Sequence, residues 1–112
     1  MISLSGNAKI FLYQTPVDLR KGFEGLSAIV EIAFHGELTT GAYFIFLNKP
    51  RNRMKVLYWD SDGLAIWYKR LERGTFSKRN LKDGKIERRE FLMLLEGIIP
   101  RRLQKRFSVK LE

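Results

Sequence analysis

The stretch Met54-Lys-Val-Leu-Tyr-Trp-Asp-Ser-Asp-Gly-Leu-Ala-Ile-Trp-Tyr-Lys-Arg-Leu-Glu-Arg73 holds both tryptophans and two of the four tyrosines of the chain. Two runs rich in apolar, aromatic and β-branched residues, 54–59 and 64–68, flank Asp60-Ser61-Asp62-Gly63. Such runs suit a pleated, half-buried surface, and the terminal glycine can take the left-handed conformation that closes a short loop. The stretch reads as an antiparallel hairpin. A type I turn followed by a bulged Gly63 would set Leu57 opposite Trp67, Val56 opposite Tyr68 and Lys55 opposite Lys69. Like charges directly opposite each other destabilise a strand pair. That last pair therefore calls for acidic neighbours or an anionic partner, unless the two lysines simply splay into water.

Working outward, residues 8–13 and 42–47 read as two further strands. Between them Thr15-Pro16-Val17-Asp18 has the form of a helix start. Threonine stands at the cap, proline at the first helical position, and a carboxylate near the free amides. The predicted helix runs from Pro16 to about Phe34, with Leu19, Phe23, Leu26, Val30 and Phe34 on one face. Gly22 and Gly25 each weaken it by about 1 kcal/mol relative to alanine. His35-Gly36 ends it, with Gly36 as the left-handed cap and His35 as a helix-end residue rather than a ligand or base. Strands 42–47 and 54–59 are apolar at nearly every position, so both faces of the sheet need cover. A second helix over about 87–96, carrying Phe91, Leu92, Leu94, Leu95 and Ile98 at helical spacing, supplies it. Gly97 and Pro100 follow that helix. The predicted fold is α+β: one small domain over residues 1–112, an antiparallel meander of about four strands packed with an N-terminal and a C-terminal helix. Residues 74–90 are basic and poor in apolar residues, and are expected to form a loop rather than a further element. The tail 101–112 is compatible with an edge strand, a short helix or no order.

The composition excludes several classes. Of 112 residues none is cysteine, so disulfides, zinc thiolates and thiol nucleophiles are absent. No segment approaches the roughly 20 unbroken apolar residues of a membrane span. The N-terminus lacks a signal peptide's basic region and apolar core, so cytoplasm is the expected compartment. The net charge of +9 is unevenly placed: residues 1–37 carry three Lys/Arg against four Asp/Glu, and 38–112 carry eighteen against eight, giving −1 and +10. A balance of that kind favours a polyanionic partner, nucleic acid before membrane.

Catalytic chemistry finds little support. Asp60-x-Asp62-Gly63 lacks the further ligands of a calcium loop and is better read as turn chemistry. The remaining carboxylates are scattered, where two-metal sites need convergent ones. No nucleophile elbow or phosphate-binding loop is present, and the single histidine is badly placed for a triad. The chain is therefore expected to be no enzyme and to need no metal or cofactor. What stands out is a set of basic and aromatic side chains around the hairpin, including Trp59. As nucleic-acid-binding residues we single out Arg20, Lys21, Arg51, Arg53, Lys55, Trp67, Lys69, Arg70 and Arg73. On a sheet face such a set holds phosphates and stacks bases. At least one of Trp59 and Trp67 is expected in the core instead.

Three blocks carry a family resemblance: Pro16-Val-Asp18-Leu-Arg20-Lys21-Gly22-Phe-Glu-Gly25-Leu26, then Lys55-Val-Leu-Tyr58-Trp59-Asp60-Ser-Asp62-Gly63, then Tyr68-Lys69-Arg70-Leu-Glu72-Arg73-Gly74-Thr-Phe76. Together with Gly41-Ala-Tyr-Phe-Ile-Phe46-Leu-Asn48 and Leu94-Leu95-Glu96-Gly97-Ile98, they resemble the orf-two accessory proteins (TnpB) of the IS-sixty-six group of bacterial insertion sequences. Ser61 stands where that family more often has glycine, and the segment after Phe76 departs from it more freely. The resemblance implies an element-encoded helper of transposition working beside a separate, larger transposase, and implies no biochemical activity. Two molecular roles follow from the residues: an accessory factor that binds DNA at element ends, or a protein adaptor that docks on the transposase without touching DNA.

Overall fold

The central hairpin folds because its two apolar runs pair over their whole length. In the computed structural model, which describes residues 8–76 and 84–95, β3 (Arg53–Asp60) and β4 (Gly63–Arg70) are antiparallel. Their register differs by one residue from the bulged-loop expectation. Asp60 pairs with Gly63, so only Ser61 and Asp62 lie in the loop, and Lys55 faces Tyr68, Val56 faces Trp67 and Leu57 faces Ile66. The left-handed residue is Ser61, at φ 55°, and not Gly63. The Asp62 amide donates to the Asp60 carbonyl and tightens the turn around Ser61. A one-residue slip moves every side chain of a strand to the other face, so the predicted Lys55–Lys69 pair does not form. The like-charge pair is Arg53–Arg70.

The sheet is mixed. Its order is β1-β2-β3-β4, with β1 (Ile10–Leu12) parallel to β2 (Tyr43–Leu47), and β2 antiparallel to β3. The all-antiparallel expectation fails at β1 for a topological reason. Helix α1 (Phe23–Ala33) carries the chain back along the sheet between β1 and β2, so the second strand must run the same way as the first. A 3-10 turn, Glu37–Thr39, lies between α1 and β2.

Helix α1 starts seven residues later than predicted. Val17 donates its amide to the Leu47 carbonyl at 2.9 Å, and Asp18 turns its carboxylate onto the Arg20 amide at 3.0 Å. Aspartate bonding its own neighbouring backbone competes with helix, so the helix-start signature at 15–18 belongs to a turn. Gly22 is the N-cap, and at the other end Phe34 is the C-cap, with both His35 (φ 53°) and Gly36 (φ 75°) left-handed.

Two apolar layers flank the sheet. On one face Phe11, Phe44, Phe46 and Leu57 pack with Val17, Leu19, Leu26 and Val30, so α1 and the segment before it cover this side. Phe11, Phe34 and Phe44 lie with ring centroids 5.1–5.6 Å apart. On the other face Ile10, Leu12, Tyr43, Ile45, Leu47, Met54 and Val56 pack with Phe76, Ile86, Phe91 and Leu94. Helix α2 (Arg88–Leu95) therefore supplies the second cover expected from the sequence.

The basic segment is partly anchored. Lys85 bridges Phe11, Ile86 donates to the Ile10 carbonyl at 3.0 Å, and the Gly84 carbonyl accepts from Leu12, so residues 84–86 close the outer edge of β1. Phe76 is buried, 1% exposed. Residues 77–83 and the tail 101–112 lie outside the described residues.

Candidate nucleic-acid interface

The topology gathers one end of the sheet. The carboxyl ends of β1, β2 and β4 and the amino end of β3 meet there, as does the start of α1. The connections leaving this end, residues 13–22, 48–52 and 71–76, carry Arg20, Lys21, Lys49, Arg51 and Arg73 against Asp18 and Glu72. In open sheets with parallel strands, crevices for ligands form at strand carboxyl ends. A groove of about 670 Å³ lies here on the α1 side of the sheet, lined by residues 16–20, Asn48, Lys49, Arg53, Lys55 and Tyr68. Its lining holds four cations, Arg20, Lys49, Arg53 and Lys55, against the one carboxylate of Asp18. A second hollow of about 490 Å³ adjoins it across Asn48 and Lys49 and reaches Tyr13, Pro50 and Arg51.

The β2–β3 loop is held by its own side chains. Asn48 Oδ1 accepts the amides of Asn52 and Arg53, each at 3.0 Å, and Asn48 Nδ2 donates to Asn52 Oδ1 at 2.8 Å. Arg51, left-handed at φ 58°, donates its amide to the Asn48 carbonyl, and its carbonyl accepts from Phe76 at 2.7 Å. Lys49 and Arg51 thus project from a clasped loop rather than a loose one.

Tyr68 organises the floor of the groove. Lys55 Nζ sits 4.9 Å from its ring centroid, a cation–π contact, and donates to the Lys21 carbonyl at 3.0 Å. Arg53 Nη1 donates to the Tyr68 hydroxyl at 3.1 Å. Across the strand pair Arg53 faces Arg70, whose Nε donates to Glu72 Oε2 at 2.8 Å. Arg20 donates to both carboxylate oxygens of Asp18, the shortest contact being 2.7 Å. Those hydrogen bonds hold the Asp18 carboxyl down at about 2 and push the Arg20 guanidinium up.

Strand alternation separates the residues singled out from the sequence. Arg53, Lys55 and Arg70 share the α1 face, with Arg20, Lys21 and Arg51 beside them. Trp67 and Lys69 are on the other face, opposite Val56 and Met54, where Trp67 packs half-buried against the α2 core. Trp67 is thus the core-side tryptophan, while Trp59 donates its indole N–H to the Ser61 carbonyl at 3.2 Å. Arg73 is exposed in the chain leaving β4. Lys49, Asn48 and Tyr68 were missed. Tyr68 enters the site only in the observed register, whereas Lys49, beside Pro50 in a basic loop, was legible. Among the described residues no group of three or more His, Cys, Asp or Glu side chains could hold a metal ion, and no helix is long and apolar enough to cross a membrane.

Comparison with known proteins adds the lineage. The family model described as IS66 Orf2 like protein matches residues 8–105. Two proteins of Sinorhizobium fredii are similar to the chain. The uncharacterized protein y4jC is 35% identical over 100 residues, covering 88% of this chain and 86% of its own length. The uncharacterized protein y4hO is 27% identical over 86 residues, covering 77% and 75%. No solved structure matches.

Proposed function

This chain belongs to the IS66 Orf2-like family, and from that premise we propose that it is a non-catalytic accessory protein of insertion-sequence transposition that binds DNA through the basic end of its sheet. The observation that carries this reading is the placement of Arg53, Lys55, Lys49 and Arg20 around one groove, with Arg51, Lys21 and Arg70 adjoining it. Holding Arg53 opposite Arg70 costs the strand pair a few tenths of a kcal/mol. A phosphate between or beside them turns that cost into attraction. Each neutralised phosphate releases counterions, so affinity should fall with salt at a log-log slope near −0.9 per contact.

Reversing Arg53 and Arg70 together to glutamate keeps the cross-strand pair like-charged but also breaks the Arg70–Glu72 ion pair and the Arg53–Tyr68 hydrogen bond, so circular dichroism of the variant must first show the parent fold. The double variant should lose at least about tenfold in DNA affinity, about 1.4 kcal/mol, with a salt slope shallower by about two contacts. Reversing Arg88 and Arg89, exposed on α2, should cost much less. Fluorescence anisotropy over a salt series reads both quantities. Equal losses from the two pairs would mean a diffuse positive cloud. Absence of DNA binding by the intact chain, with salt-resistant capture by the transposase, would give the role to a protein adaptor.

A further inference from the structure

Resting on that reading, we propose that the groove takes an unpaired stretch of DNA strand rather than a duplex, with one base stacked on Tyr68 and the neighbouring phosphates held by Arg53, Lys49 and Lys55. Against a double helix, a tyrosine contributes chiefly its hydroxyl, given to a phosphate. Here the hydroxyl oxygen accepts from Arg53 and the ring beside it is exposed, so Tyr68 offers a ligand a stacking face as well as its O–H proton. Tyr68 is 48% exposed, unlike the aromatic residues of the core. Lys55 covers one side of it. β4 is the last strand of the sheet, so no strand lies beyond Tyr68 among the described residues. A π-face flanked by cations is the arrangement that binds single strands, since every unpaired base has a face to stack and a phosphate on either side.

The shape agrees with the chemistry. Pro16, Val17 and Leu19 form one wall, Tyr68 and the two β3 cations the floor, and Asn48 and Lys49 one end. A volume of about 670 Å³ has room for a nucleotide or two and none for a double helix. Val17 and Leu19 are anchored in the core and the Asn48 clasp fixes the loop, so the groove is preformed. A duplex would meet only its rim.

The test uses the full chain and two fluorescent probes, a short oligothymidine and a duplex of the same length. Two variants lack the hydroxyl and differ in the ring: Tyr68→Phe and Tyr68→Leu. The intact chain should bind oligothymidine more tightly than duplex. Tyr68→Leu should weaken oligothymidine binding about fivefold or more and duplex binding less than twofold. Tyr68→Phe should stay near the parent on both probes, and ultraviolet cross-linking of oligothymidine should map to the peptide holding Tyr68. Tighter binding of duplex, or parallel losses in Phe and Leu variants, would overturn the unpaired-strand assignment while DNA binding itself stood. If the Arg53→Glu/Arg70→Glu protein bound both probes as the parent does, the placement of DNA at this end of the sheet would fall, and the groove assignment with it.

Discussion

Asp18 shows how one side chain redirects the chain. Its carboxylate satisfies the Arg20 amide and guanidinium, which takes residues 16–22 out of the helix and lays 16–20 along the groove. The Arg20 side-chain hydrogen bonds are the main reason its pKa falls from 3.8 to about 2, with the Arg20 amide next. A carboxyl whose folded pKa is depressed contributes stability at pH values above its ordinary one, and that contribution is lost as pH falls toward 2. The turn should therefore loosen only in strong acid. An NMR titration of the Asp18 carboxyl should give a midpoint near 2 in the parent. In Arg20→Ala the midpoint should rise toward the ordinary value without reaching it, because the backbone amide still donates. An unchanged midpoint would remove Arg20 as the cause. Ser61 makes the same point at the other end of the sheet. It holds a left-handed conformation that costs L-residues about 1–2 kcal/mol and that glycine takes freely.

The two helices are unequal in length but not in consequence. Phe91 of α2 is fully buried against Tyr43, with ring centroids 6.2 Å apart, on a face that α1 cannot reach. Phe91→Ala should cost about 3–5 kcal/mol in chemical denaturation, the range for emptying a large aromatic site. A loss below about 1 kcal/mol would mean that α2 is an appendage and that something else covers the second face. The need for two covers was legible in the sequence, because strands apolar at nearly every position put apolar side chains on both faces. Other features depended on pairings that local pattern does not encode. The direction of β1 follows from where α1 delivers the chain. The start of α1 turned on whether Asp18 would cap a helix or close a turn, two uses of one carboxylate that share a local signature. The hairpin register hung on a single loop residue, and it decided the site. With the bulged loop, Lys55 and Lys69 would be neighbours; with Ser61 and Asp62 alone in the loop, Lys55 meets Tyr68, and Lys69 and Trp67 go to the other face. The positions of the basic residues could be read from the sequence, but their division between the two faces could not.

At the scale of the whole molecule the sheet is electrically polar along its strands. Arg53, Lys55 and Arg70 crowd one end, and the exposed Asp60 and Asp62 mark the hairpin loop at the other. Seven residue steps along β3, at about 3.3 Å each, separate the two ends by roughly 23 Å. Across that distance a unit pair in water is worth only about 0.2 kcal/mol before screening. Salt shortens the reach to about 8 Å at 0.15 M and lengthens it to about 30 Å at 0.01 M. Replacing Asp60 and Asp62 by asparagine should therefore leave DNA affinity nearly unchanged at 0.15 M salt, and raise it about twofold at 0.01 M, where the loop's field reaches the bound phosphates. The outcome separates two ways in which a chain of net charge +9 can hold DNA. If the DNA lay along the whole sheet, the loop carboxylates would oppose its phosphates at short range, and their removal would strengthen binding about tenfold or more even at 0.15 M. A salt-dependent gain confined to low ionic strength places the DNA at the end where the strands' carboxyl ends meet, with the acidic loop acting only as a distant repulsive charge that disfavours the reversed orientation.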